Sequence, residues 1–160
     1  MRPAPPERSP IYLDWNATTP PSQAVLEAMR EAAGFWANPA SVHALGRAAR
    51  AVVEGARECL GEALSVHPRD VVFTSGGTEA NNLALHAAPR LVTSRLEHPS
   101  VVKIAEVLEH SGRTQWLPVH DHGRVLPADV AAALAGGTAP GGTWVSVAAV
   151  NHETGVIQPV

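Results

Sequence analysis

The 160-residue sequence holds a single cysteine, Cys59, and a single lysine, Lys103. One cysteine excludes an internal disulfide framework and makes a reducing, cytoplasmic setting the natural expectation. One lysine leaves a single candidate for any mechanism that needs a nucleophilic amine. Aromatic residues are sparse at 4%, which argues against a base-stacking platform. The net charge, 12 − 15 = −3 with His neutral, is weak, and Lys and Arg do not cluster, so no nucleic-acid partner is expected. The longest stretch without formal charge, residues 130–152, contains AGGTAPGGT and cannot be a membrane helix. The opening MRPAPPERSP has no apolar core of a secretory signal and reads as a disordered lead-in over residues 1–10.

Hydrophobic residues make up 45% of the chain, enough for a globular domain with a real core. The pattern predicts a short strand at 11–13, the polar turn DWNATTPP and a helix over 23–33 capped by Ser22. A loop, FWANPAS, precedes a longer helix at about 42–64, with Val42, Leu45, Ala49, Val52, Val53, Ala56 and Leu60 at helical spacing. Alternation then sets in. Strands are expected at 71–73, 91–93, 114–119 and 144–150, and helices at 79–86, 99–110 and 128–134. Such alternation predicts a parallel sheet covered on both faces, with ligands bound beyond the carboxyl ends of its strands. TSGGTE, LEHPS and VNHETG all fall at that edge. The ending GVIQPV has neither cap nor polar tail, so the chain is expected to be a fragment.

Each motif carries two readings. In TSGGTE, glycines let the backbone approach an anion, and the amides opening the next helix point outward. Thr78 adds a hydroxyl donor. The alternative is an ordinary strand-to-helix turn capped by Ser75 or Thr78. Glu79 would repel a phosphate if it pointed inward. In LEHPS, His98 could stack on a planar ligand or move a proton, or simply cap a helix. In VNHETG, the Asn151 amide could bond a ligand hydroxyl or close an Asx turn. The pair in His120-Asp121-His122 has no third ligand, so no metal site is expected there. Cys59, in a predicted helix beside Val52, Val53 and Ala56, reads as packed or inert.

In order, the chain carries IYLDWNATTP, ANPASVHALG, VVFTSGGTEANNLAL, LEHPSV and VNHETGVIQP. This series closely resembles the N-terminal part of the cysteine desulfurases of the NifS/IscS type, within the class V aminotransferase family of pyridoxal-phosphate enzymes. The resemblance runs from about residue 11 to 160. It implies an α/β fold: the three-layer, parallel or mixed sheet of the aspartate-aminotransferase-like large domain, incomplete here, with an N-terminal helical segment. Residues 11–66 would form that segment and residues 67–160 the first part of the cofactor-binding domain. The implied cofactor is pyridoxal 5'-phosphate (PLP), with Gly77 and Thr78 on its phosphate, His98 stacked on its ring and Asn151 near its phenolic oxygen. Asn16, Ala17, Thr18, Asn38 and His43 would line the substrate entrance and dimer contact.

The resemblance further implies a homodimer, L-cysteine as substrate and a sulfur-acceptor protein as partner. Sulfur would pass from L-cysteine to an enzyme cysteine, leaving alanine, with His98 assisting proton movement. The family's ring-nitrogen aspartate, its glutamine, its cofactor-bearing lysine and its sulfur-accepting cysteine find no match in this chain. Lys103, five residues past His98, reads as helix surface. The chain alone is therefore expected not to turn over. Other readings are a selenocysteine lyase or aminotransferase of the same class, a non-catalytic phosphate-binding module, or one part of a split enzyme. Replacing His98 or Asn151 by alanine is expected to weaken cofactor chemistry without unfolding the protein.

Overall fold

The computed structural model describes residues 11–137 and 139–159, so the lead-in expected over 1–10 lies outside the described residues. Contacts divide the chain into two compact units, one ending at Val72 and one beginning at Phe73. In the first, helix α1 (Gln23–Ala32) starts where Ser22 Oγ accepts the Val25 amide at 3.3 Å. Helix α2 (Ala44–Leu64) starts at His43, whose Nδ1 accepts the Gly46 amide at 3.3 Å. It stops at Ser65, held in the left-handed region at φ 55°, so that the Ser65 and Val66 amides turn back to Glu62 and Gly61 carbonyls. A short 3₁₀ turn, Pro68–Asp70, follows.

The second unit runs α3 (Gly77–His86), β1 (Leu91–Thr93), α4 (Pro99–Glu109), β2 (Thr114–Trp116), α5 (Pro127–Ala135) and β3 (Trp144–Ser146). The strands pair in parallel in the order β2–β1–β3, with Leu91 opposite both Thr114 and Trp144. The chain leaves β1 toward one side and later crosses to the other. Right-handed connections then place α4 and α5 on opposite faces. Packing agrees. Leu91 clusters with Leu85, Val101, Ile104, Ala105 and Leu108, whereas Val92 clusters with Leu117, Val125 and Ala133. Neighbouring strand residues face opposite ways, so Leu91 and Val92 feed one core each. The expected layered α/β architecture is present, with every strand pair among the described residues parallel.

Two expected strands are not formed: residues 11–13 and 71–73 have no regular structure. A strand persists where its amides and carbonyls meet a neighbouring strand, and an apolar run does not itself supply one. Ile11 and Leu13 are each 85% exposed. The strands starting at Thr114 and Trp144 also end early, at Trp116 and Ser146. Their shared neighbour β1 ends at Thr93, and the last rung is the Leu117 amide on the Thr93 carbonyl at 2.7 Å. Cys59 is exposed on α2 and not packed.

Candidate active site

Strand order reverses at β1, which sends its successors first to β2 and then to β3. In open α/β sheets the crevice beyond such a switch point is where ligands bind. Here it lies between the loop after β1, leading to His98, and the loop after β3, leading to Asn151. Three bonds tie the two sides: Thr93 Oγ1 donates to the Ser146 carbonyl at 2.9 Å, the Ala148 amide to Glu97 Oε1 at 2.7 Å, and Asn151 Nδ2 to the Leu96 carbonyl at 2.7 Å. Burial pushes the Glu97 carboxyl above the usual carboxylate range, against the opposing pull of the Ala148 amide and of His152.

The glycine corner opens α3. Gly76 adopts φ 159° and ψ 179°, a region essentially confined to glycine. It supplies no side-chain cap, unlike Ser22, His43 and His98 at the starts of α1, α2 and α4. The amides of Gly77, Thr78 and Glu79 precede the first intrahelical bond, from the Ala80 amide to the Gly76 carbonyl at 3.1 Å. A Cβ added at Gly76 or Gly77 would meet nothing within 4 Å, so the approach to these donors is open. Ser75 does not cap the helix; its amide and hydroxyl both donate to Glu79 Oε2, at 2.6 and 2.7 Å. Those bonds hold the Glu79 carboxyl below its ordinary range. Glu79 lines a cavity with Asn82, Leu83 and His86, apart from the one lined by Gly77 and Thr78.

That latter cavity, about 390 Å³, is lined by Gly77, Thr78, Asn81, His98 and Ser100. His98 is the N-cap of α4: its Nδ1 accepts the Ser100 amide at 3.1 Å and stands 2.8 Å from Ser100 Oγ. Its exposed ring is thereby fixed against the helix start, 5.2 Å between centroids from His152. Asn81 Nδ2 donates to Ser100 Oγ at 2.9 Å, joining α3 to α4. The capping role is thus real, and it leaves the ring available to a ligand.

Asn151 is buried and closes an Asx turn. Its Oδ1 accepts the Glu153 amide at 3.0 Å, the Thr154 amide at 2.8 Å and the Thr154 hydroxyl at 3.0 Å. It lines a second cavity of about 330 Å³ with Leu96, Glu97, Pro99 and His152. One Nδ2 hydrogen is bound to Leu96, which leaves the other as the only part of this amide a ligand could meet.

Gly77, Thr78 and His98 are therefore brought around one cavity, and Asn151 stands at the other. Asn16, Ala17, Thr18, Asn38 and His43 all belong to the unit ending at Val72. Within it, the Ala17 amide bonds the Asp14 carbonyl at 3.2 Å and the Thr18 carbonyl accepts Tyr12 Oη at 3.2 Å. Asn38 Oδ1 accepts the Ala40 amide at 2.9 Å. Lys103 is a surface residue paired with Glu106 at 2.9 Å. His120 Nε2 lies 2.7 Å from Asp129 Oδ2, in an ordinary surface pair. Sequence reasoning missed Asn81, Ser100, Glu97 and His152. Asn81 was within reach, because it lies four residues after Gly77 and so shares its helix face.

An open, parallel α/β sheet with a switch-point crevice and an uncapped glycine corner puts the chain among nucleotide- and cofactor-binding architectures of this class. More narrowly, residues 11–160 match the model of the aminotransferase class-V family, and the chain belongs to that family. It is 37% identical to the selenocysteine lyase of Bos taurus, over 98% of this chain and 42% of that protein. It is 36% identical to the cysteine desulfurase IscS of Dictyoglomus turgidum, over 94% of this chain and 40% of that protein. A solved structure, SspA in complex with cysteine, superposes with a TM-score of 0.75 at 30% identity, covering 92% of this chain and 44% of that one. The resemblance to NifS/IscS-type sequences and the α/β fold are thus borne out, and the chain spans about two fifths of the length of these relatives. Relatives of this class depend on PLP, which is the expected cofactor. The donor set suits it: free helix-start amides for a phosphate beside an imidazole face for a ring. Among the described residues, no helix is long and apolar enough to cross a membrane.

Proposed function

We propose that this chain is the cofactor-gripping part of a PLP-dependent cysteine desulfurase. The observation that carries the reading is the single cavity shared by Gly77, Thr78 and His98. In it, the open amides of Gly77 and Thr78 and the Thr78 hydroxyl hold the phosphate dianion, helped by the α3 dipole. The His98 ring would lie against the ring of the bound cofactor and serve as the catalytic residue. The remaining Asn151 hydrogen faces the phenolic oxygen. When bound, PLP supplies an electron-withdrawing ring that stabilises charge on the substrate carbon.

In this reading L-cysteine loses its C–S bond, its carbon gains a proton to become L-alanine, and the sulfur joins an enzyme thiol as a persulfide. Neither that thiol nor the cofactor-bearing lysine matches a residue of this chain, so these 160 residues alone are inactive. Residues 67–160 are the first part of the cofactor domain, and the Asn16–Ala17–Thr18 turn, Asn38 and His43, in the N-terminal segment over 11–66, belong to the substrate entrance. A homodimer, a sulfur-acceptor protein, a role in iron–sulfur or thio-cofactor assembly and a cytoplasmic setting complete the proposal. A selenocysteine lyase is the second reading, favoured by the similarity to the bovine lyase across 98% of the chain.

The test is turnover by the protein purified from its native source, with L-cysteine and L-selenocysteine offered separately. Alanine from L-cysteine, with sulfide released once a dithiol reductant is added to discharge the persulfide, is expected, and both should be lost in His98→Ala. Turnover confined to L-selenocysteine would move the assignment to the lyase, and turnover of neither would end it.

A further inference from the structure

We propose that Ser100, oriented by Asn81, is a positioning residue that fixes the tautomer of His98 and makes its outer nitrogen a hydrogen-bond donor. The network stands on its own geometry; only its consequence for catalysis rests on the function proposed above.

The argument follows the donors. A backbone amide can only donate, so the Ser100 N–H, 3.1 Å from His98 Nδ1, requires a lone pair there. Asn81 Nδ2 is likewise a donor, and it occupies Ser100 Oγ as an acceptor at 2.9 Å. The Ser100 hydroxyl proton then has His98 Nδ1, 2.8 Å away, as its acceptor. Donation runs one way, from Asn81 through Ser100 to His98. A neutral imidazole carries one N–H, and with two donors on Nδ1 it resides on Nε2. Ser100 is only 6% exposed, which shelters this arrangement from water, while the His98 ring itself is exposed.

The consequence bears on what His98 does in the cavity. With Nε2 protonated, the neutral ring presents an N–H to whatever lies beside it. To remove a proton at Nε2 it would first have to adopt the other tautomer, breaking both bonds at Nδ1. His98 therefore polarises its neighbour by hydrogen bonding and does not start as a base.

The experiment uses the purified protein labelled with ¹⁵N-histidine, at a pH where imidazoles are neutral, without and with PLP. Long-range nitrogen–proton correlations read the protonation of each ring nitrogen, and the signals lost in His98→Asn are those of His98. The expected result is one tautomer, unprotonated at Nδ1. Ser100→Ala, which loses the hydroxyl donor and keeps the amide one, should draw the two nitrogen shifts part of the way together, Ser100→Thr should restore them, and Asn81→Ala should move them less in the same direction. Ser100→Ala keeps the backbone amide, and an unchanged backbone spectrum checks its fold; should it not fold, the wild type and Asn81→Ala carry the test. A proton on Nδ1 in the wild type, or wild-type shifts in both variants, would overturn the proposal. PLP absorbance on the same samples separates the two claims. Failure to bind PLP ends the functional reading while the tautomer result stands.

Discussion

Asn151 uses its acceptor oxygen inside its own turn and one of its two amide hydrogens on the Leu96 carbonyl, across from it. Asn151→Ala would leave the Glu153 and Thr154 amides and the Leu96 carbonyl without their partner, so it should lower stability by about 2 kcal/mol, read by urea titration, besides any effect on the cofactor. A loss of cofactor affinity with unchanged stability would contradict this. Glu97 makes the second residue-scale prediction. Its carboxyl is raised by burial, so ionisation disfavours the folded state. The stabilising contribution of the protonated form is complete below the ordinary value of 4.5 and is lost as pH rises above it. Glu97→Gln should therefore raise the melting temperature at neutral pH and have much less effect near pH 4, whereas equal effects at both would contradict it. His98 was legible because it stands at a helix start, and Asn151 because it closes a turn in the loop after β3, both places where polar residues declare themselves. Ser100 was not, and Asn81 only through its place four residues after Gly77, since a small polar residue inside a helix looks like solvent-facing surface until the neighbouring helix is known.

Helix starts and stops were the most legible elements, because their signals are local. Pro99 opens α4 and the left-handed Gly112 lies just beyond its end, in agreement with the helix expected over 99–110. The strands were less legible at 71–73 and beyond Trp116 and Ser146, because pairing is set by a neighbour distant in sequence. Two element-scale predictions follow from α2. A Cβ at Gly46 would stand 2.3 Å from the Ser41 carbonyl and 2.9 Å from that of Asn38. Gly46→Ala should cost about 1–3 kcal/mol and loosen the loop that carries Asn38 and His43, seen as faster amide exchange there. Ser65 holds the left-handed cap that glycine adopts freely. Ser65→Gly should add about 1 kcal/mol of stability in denaturant melts, and a loss would refute the strained-cap account.

Across the whole molecule, the ordered motifs conveyed family and fold more reliably than any single residue conveyed its role. No linker composition marks the division at Val72; the expected division, an N-terminal segment over 11–66 and the cofactor-binding part from 67, came from the resemblance and not from composition. Large apolar side chains remain exposed in both units: Trp36 at 81%, Val42 at 89%, Val72 at 70% and Ile157 at 73%. The isolated 160-residue chain should therefore self-associate at micromolar concentration, and a monomer with a sharp cooperative melt would contradict that. The central claim, that the glycine corner grips the phosphate of PLP, is tested most directly by comparing PLP with pyridoxal, which carries no phosphate. Binding of each to the purified protein is measured by absorbance titration in the wild type and in Thr78→Ala. Loss of one hydrogen bond to a dianion should weaken PLP binding by about tenfold and leave pyridoxal unchanged. Equal weakening of both, or no change in either, would contradict the account.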